Sequence, residues 1–190
     1  MATNKTLASN RFQETFGYPA GRAAVKVKDA MTPFVQEFIQ NAPFAVMATS
    51  DAEGNCDSSP KGGKPGFVKV LDDTHLLLPD VAGNRLFQSY ENLDGNPHVG
   101  LLFLIPGVND TVRVNGSVTI VGKEELERLN VEVSLYEIDE RSHHLQGILI
   151  EVEESYGQCP RAMYFSHLWD VETTAANQAN RPIADRSTNV

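Results

Sequence analysis

SSPKGGKPGFVKVLDDTHLLLPDVAGNRLFQSYENL, residues 58–93, taken with Asp57 before it, is the stretch on which the fold turns. Two short extended runs, Phe67–Leu71 and His75–Leu78, are joined at Asp72-Asp73. A turn of small residues, Pro79–Gly83, follows, and a helical pattern opens at Asn84. Leu86, Tyr90 and Leu93 then fall at i, i+4 and i+7, one face of that helix. Asn84 reads as its N-cap, and Arg85 stands in the first turn, where a cation opposes the helix dipole. A positive charge is best tolerated there beside an anion. Free backbone N–H groups, the dipole and an arginine fork together suit a phosphate. Upstream, Ser58, Ser59, Lys61, Gly62, Gly63 and Lys64 offer hydroxyls, cations and closely approachable backbone. The two segments are a candidate site for one phosphorylated ligand. A polar loop followed by a surface arginine is the competing reading, and the local sequence leaves both open.

Working outward, Thr32-Pro33 signals a helix start, with Phe34, Phe38, Val35 and Ile39 as its apolar face. Phe44–Ser50 and Cys56–Ser59 read as a hairpin turning at Asp51–Asn55. Downstream, His98–Ile105 is a continuous apolar run that suits a strand buried on both faces, in a sheet core or an interface. Thr111–Val121 alternates, and Gly116 within it suggests a bulge or strong bend. Lys123–Leu129 reads as a helix, Gln146–Val152 as a strand, and Arg161–Leu168 as helical turns ending at Trp169. Val131–His144 has no clean period. Residues 1–30 form an N-terminal arm, 31–170 the domain, and 171–190 a polar tail that is flexible or ordered only against a neighbour. About six strands at short intervals with a few short helices predict a mainly β (α+β) fold, a closed or nearly closed antiparallel barrel.

Composition narrows the function. A net charge of −9 and a pI near 5.0 argue against nucleic acid as partner. No run approaches the ~20 apolar residues of a membrane span, and the N-terminus lacks an apolar signal core, so a cytoplasmic protein is expected. Cys56 and Cys159 read as free thiols. None of the five histidines falls in a metal motif, the His143-His144 pair sits in a charged loop, and no metal site is expected. No paired carboxylates or Ser-His-Asp order identifies a catalytic side chain. That pattern fits chemistry carried by a bound cofactor.

Several segments together resemble the pyridoxamine 5′-phosphate oxidase-like, FMN-binding split-barrel family. They are PFAVMATSDAEGN at 43–55, SPKGGKPGFVKVLDD at 59–73, LLLPDVAGNRLFQSYENLDGNPHVGLLFLIPG at 76–107, TVRVNGSVTIV at 111–121 and CPRAMYFSHLWD at 159–170. The resemblance implies a six-stranded split barrel and a homodimer with an FMN at each of two sites between subunits. It implies that Ser59, Pro60, Lys61 and Gly62 line the flavin and its ribityl chain, and that Gly83, Asn84 and Arg85 hold the phosphate. Leu78 and Pro79 match residues facing the isoalloxazine ring, and Thr111 and Arg113 match a strand that reaches the site. Arg161 and Trp169 match a segment that approaches from the other subunit. Lys61, Arg113 and Arg161 are the candidates for a cation near the flavin N1–C2 edge, whereas Lys69 alternates outward as a surface lysine as readily as it contacts cofactor. The implied activity is an FMN-dependent oxidoreductase that passes electrons from a reduced nicotinamide or similar donor to oxygen, a quinone or another acceptor. Alternatives are a pyridoxamine or pyridoxine phosphate-type oxidase and a non-catalytic flavin-binding module. The C-terminal NRPIADRSTNV matches poorly the arginine-containing segment with which true pyridoxamine phosphate oxidases grip substrate phosphate.

Overall fold

The computed structural model describes residues 1–6, 8–81, 83 and 85–184. Among them the chain forms one antiparallel sheet of seven strands in the order β2-β1-β5-β6-β7-β4-β3. The strands are β1 (Phe44–Ser50), β2 (Cys56–Gly62), β3 (Lys69–Val70), β4 (His75–Val81), β5 (His98–Leu104), β6 (Thr111–Gly122) and β7 (His144–Gln158). The expected six strands become seven, because the short β3 adds one, and the sheet is split and not closed. Its free edges are β2 and β3. The residues of β2 explain the opening. From Asp57 to Lys61 the strand is polar, and Pro60 has no N–H to offer a further strand.

Alternation builds the core. Val99, Leu101 and Phe103 of β5 are buried, while Gly100 and Leu102 on the other face stay half-buried, so in one chain this strand is covered fully on one side only. Val112 and Val114 of β6, Leu76 and Leu78 of β4 and Ile148 and Ile150 of β7 join the same cluster. Helix α3 (Pro33–Asn41) closes it, started by Pro33 and by the Thr32 hydroxyl, which accepts from the Val35 N–H at 3.4 Å. It buries Val35, Phe38 and Ile39 but leaves Phe34 exposed, so the apolar face is one residue narrower than expected. At Gly116 the β6–β7 register shifts, as the glycine suggests. A Cβ there would lie 2.1 Å from the Glu151 carbonyl oxygen.

Two helices α1 (Arg11–Phe16) and α2 (Arg22–Val25) lie in the N-terminal arm, which is tied to the body where Lys28 bridges Ser155. Strand β7 runs past the expected Gln146–Val152 at both ends, because β4 pairs with its first half and β6 with nearly its whole length. After α5 (Lys123–Arg128) and α6 (Arg161–Ser166), the segment expected as a tail forms α7 (Val171–Ala179), capped by the Asp170 carboxylate. The largest local correction concerns α4. It spans Gln88–Gly95 and does not open at Asn84. Arg85 (φ 62°) and Phe87 (φ 53°) are both left-handed, which no α-helix accommodates, so Leu86 is 65% exposed while Tyr90 and Leu93 pack inward. Asn84 itself lies outside the described residues. Among those residues no helix is long and apolar enough to cross a membrane.

Candidate functional site

The open side of the sheet is a cleft between β2 and β4. Its first lobe, about 380 Å³, is lined on the apolar side by Phe67, Leu78, Pro79 and Leu135. Its second lobe, about 200 Å³, is polar and runs from Ser58 and Ser59 to Arg85 and the start of α4. Ser59, Pro60, Lys61, Asp80, Val81 and Gly83 line both, so the lobes are continuous. Eight of the residues singled out from sequence meet here: Ser59, Pro60, Lys61, Gly62, Leu78, Pro79, Gly83 and Arg85.

Between the lobes Lys61 Nζ pairs with Asp80 Oδ1 at 3.3 Å, with side chains only 17% and 21% exposed. Asp80 also accepts from the Tyr90 hydroxyl. Burial, then the Asp80 charge, raises the tyrosine's pKa above its ordinary value, so the hydroxyl keeps its proton to donate. Ser89, buried at the start of α4, donates to Asp57, which fastens the helix to β2. Asn92 and Asn96 donate to Thr49 and Ser50 of β1, each at 3.0 Å. The polar lobe is thus framed by a helix bound to the hairpin through side chains.

Arg85 is exposed, and among the described residues no carboxylate pairs with it. It does not stand in a helical first turn, so the dipole argument for its charge fails. Its left-handed backbone is the more telling feature, since such residues gather where a loop is held for a purpose.

Four expected site residues lie elsewhere in the chain. Thr111 is buried in β6. Arg113 Nη2 contacts Glu154 at 3.2 Å, its guanidinium lies 5.0 Å from the Tyr156 ring, and its Nε is buried without a partner. Arg161 stacks on Phe165 of its own helix at 4.9 Å. Trp169 donates its indole N–H to the Val108 carbonyl at 3.0 Å. None of the four lines the cleft.

Three features at the cleft were missed, misplaced or left open by the sequence. Asp80, two residues beyond Leu78 in an extended run, shares its strand face by alternation, and a lysine on a facing edge was the available clue. His144 belongs not to a loop but to the first position of β7, and it is buried. Lys69 is not a solvent-pointing lysine. Its ammonium donates to the Gly66 carbonyl at 2.9 Å and the Ser134 hydroxyl at 3.0 Å, pinning the irregular 131–143 segment against the cleft. Gly63 permits that approach, since a Cβ would meet the Ser134 carbonyl oxygen at 2.4 Å.

A family model described as pyridoxamine 5′-phosphate oxidase matches residues 31–159. Among solved structures, a candidate pyridoxamine 5′-phosphate oxidase from Lactobacillus delbrueckii is 21% identical. That match covers 70% of this chain and 99% of that one, with a TM-score of 0.51. A variant of HupZ from Group A Streptococcus is 19% identical over 67% of this chain and 99% of that one, with a TM-score of 0.50. At these identities the likeness concerns the fold. No curated protein matches the sequence.

Proposed function

The chain belongs to the pyridoxamine 5′-phosphate oxidase family, and from that premise we propose that it is an FMN-dependent oxidoreductase acting as a cytoplasmic homodimer. The observation that carries this reading is the two-lobed cleft, apolar beside Leu78 and Pro79 and polar beside Ser59 and Arg85. Its lobes together lie in the size range of small-molecule sites. One phosphate and one fused ring, joined by a polar chain, match that division.

In this reading Arg85 holds the phosphate as a charge-assisted donor, with the Ser58 and Ser59 hydroxyls beside it. Gly83 leaves room for the phosphate to approach the backbone. Phe67, Leu78, Pro79 and Leu135 pack the ring and exclude water from it. Lys61, steadied by Asp80, keeps a positive charge midway along the cleft. Bound FMN would supply the two-electron chemistry between a reduced nicotinamide or similar donor and oxygen, a quinone or another acceptor. Arg113, Arg161 and Trp169 we assign to the seam of a dimer, where the half-buried face of β5 and the exposed Phe34, Tyr164, Phe165 and Leu168 also want cover.

A second reading, a flavin-binding module without turnover, is favoured by the Lys61–Asp80 pair, which partly neutralises the central cation. Purified protein should release FMN on denaturation, and anaerobic mixing with NADH or NADPH should bleach its visible bands. Bleaching by pyridoxamine phosphate alone would mark the phosphate-ester oxidase. Bound FMN that no donor reduces would mark the module, and a protein with no affinity for FMN would overturn all three.

A further inference from the structure

His144 opens β7 opposite Val81 of β4 and lines the apolar lobe beside Leu78, Ser134 and Leu135. It is only 9% exposed. Among the described residues its ring nitrogens have no hydrogen-bond partner. Among the described residues the one fully buried side-chain nitrogen without a partner is Arg113 Nε, so the His144 nitrogens still reach solvent. An imidazole left open toward a cleft is therefore suited to a partner that arrives with the ligand. Lys69 on β3 is the charged group whose field reaches it. Burial, then the Lys69 charge, holds its pKa below the ordinary histidine value. The ring is accordingly neutral at pH 7, with one N–H to donate and one nitrogen to accept.

We propose that His144 hydrogen-bonds the heteroatom edge of the ring system seated against Leu78 and Pro79, and so selects a heterocycle carrying donors and acceptors over a plain aromatic. This rests on the flavin reading above and adds to it a ligand-contacting residue that neither the sequence motifs nor the phosphate lobe supplies. The polar lobe should discriminate FMN from riboflavin, which lacks the phosphate, whereas His144 should not.

Affinity for FMN and for riboflavin, by fluorescence quenching, separates the two roles. His144→Phe should weaken both by the same factor, roughly three- to tenfold, the worth of one hydrogen bond. His144→Gln, which keeps a donor and an acceptor, should recover most of that loss. In wild-type protein the histidine ring resonance absent from His144→Gln should move when riboflavin is added. This last readout needs no folded Phe variant. Flavin bound equally by wild type and His144→Phe, or a His144 resonance unmoved at saturation, overturns the inference while leaving the cofactor reading intact. Wild-type protein that binds neither flavin overturns the cofactor reading and this inference together.

Discussion

Strand β6 and the pair β2/β4 are two ways of joining strands, and they divide the work of the molecule. β6 is paired with β7 along all 12 of its residues and with β5 over its first half. Apart from the bulge at Gly116, the backbone groups facing β7 are used in the ladder, and the side chains beneath form the core. β2 and β4 face each other with no ladder between them, and one ion pair, Lys61–Asp80, spans the gap. A ladder leaves no space between strands, whereas a side-chain bridge leaves room for a ligand and edge backbone to contact it. The split is therefore both the weak seam and the chemically useful one.

The largest expected effect lies in the ladder. Gly116→Val would drive a Cβ into the Glu151 carbonyl at 2.1 Å, where neither strand can give way. Destabilisation of roughly 3 kcal/mol or more is expected, read from the urea midpoint. A loss below ~1 kcal/mol would mean that the ladder is as yielding as the split.

Next come the lobes of the split. Arg85→Ala should weaken FMN binding by about 1.5–3 kcal/mol, roughly ten- to a hundredfold, and raised salt should narrow the gap. Lys69→Ala should instead cost stability, about 1 kcal/mol, through its lost bonds to Gly66 and Ser134, with a smaller change in affinity. Equal losses of FMN affinity would place the anchor away from Arg85.

Asp80→Asn tests the bridge itself, and its two effects should run in opposite directions. Leaving Lys61 without its counter-charge should destabilise the fold by roughly 1–2 kcal/mol, between the values for exposed and buried pairs. It should also tighten FMN several-fold at low salt, because an anion beside the phosphate lobe is gone. Weaker stability with weaker binding would show instead that Asp80 orders the site for its ligand.

The ladder was far more legible in the sequence than the split. A continuous apolar run marked β5, alternation marked β6, and Gly116 marked the bulge, because core burial leaves a pattern that a reader can see. The helix start was misplaced by four residues, from Asn84 to Gln88. Helical spacing at Leu86 concealed two left-handed residues that nothing in a propensity scale reveals. Lys61, Asp80, Lys69 and Ser134 meet through long-range contacts across irregular backbone, and such contacts leave no local pattern. His144 escaped notice because β7 begins two residues before its obvious apolar run.

The smallest effect belongs to the turn that leads into β4. Asp72 accepts from the Thr74 N–H at 2.7 Å, and its carboxylate also meets the Thr74 hydroxyl and His75 Nδ1. The Thr74 N–H, with smaller help from His75 and the hydroxyl, holds its pKa down from 3.8 to about 2. A carboxyl whose pKa is lowered by folding stabilises the fold when ionised. That contribution is complete above the unfolded value and is lost as pH falls from about 4 toward 2. The Asp72 side chain is 53% exposed, so solvent screening limits it to a few tenths of a kcal/mol. Urea midpoints at about pH 5 and pH 2.5 should therefore fall slightly more for wild type than for Asp72→Asn, since only the carboxyl can be protonated. An identical fall in both proteins would show that the Asp72 charge adds nothing to the turn, and that β4 is held by its ladders to β3 and β7 and by the Lys61–Asp80 bridge.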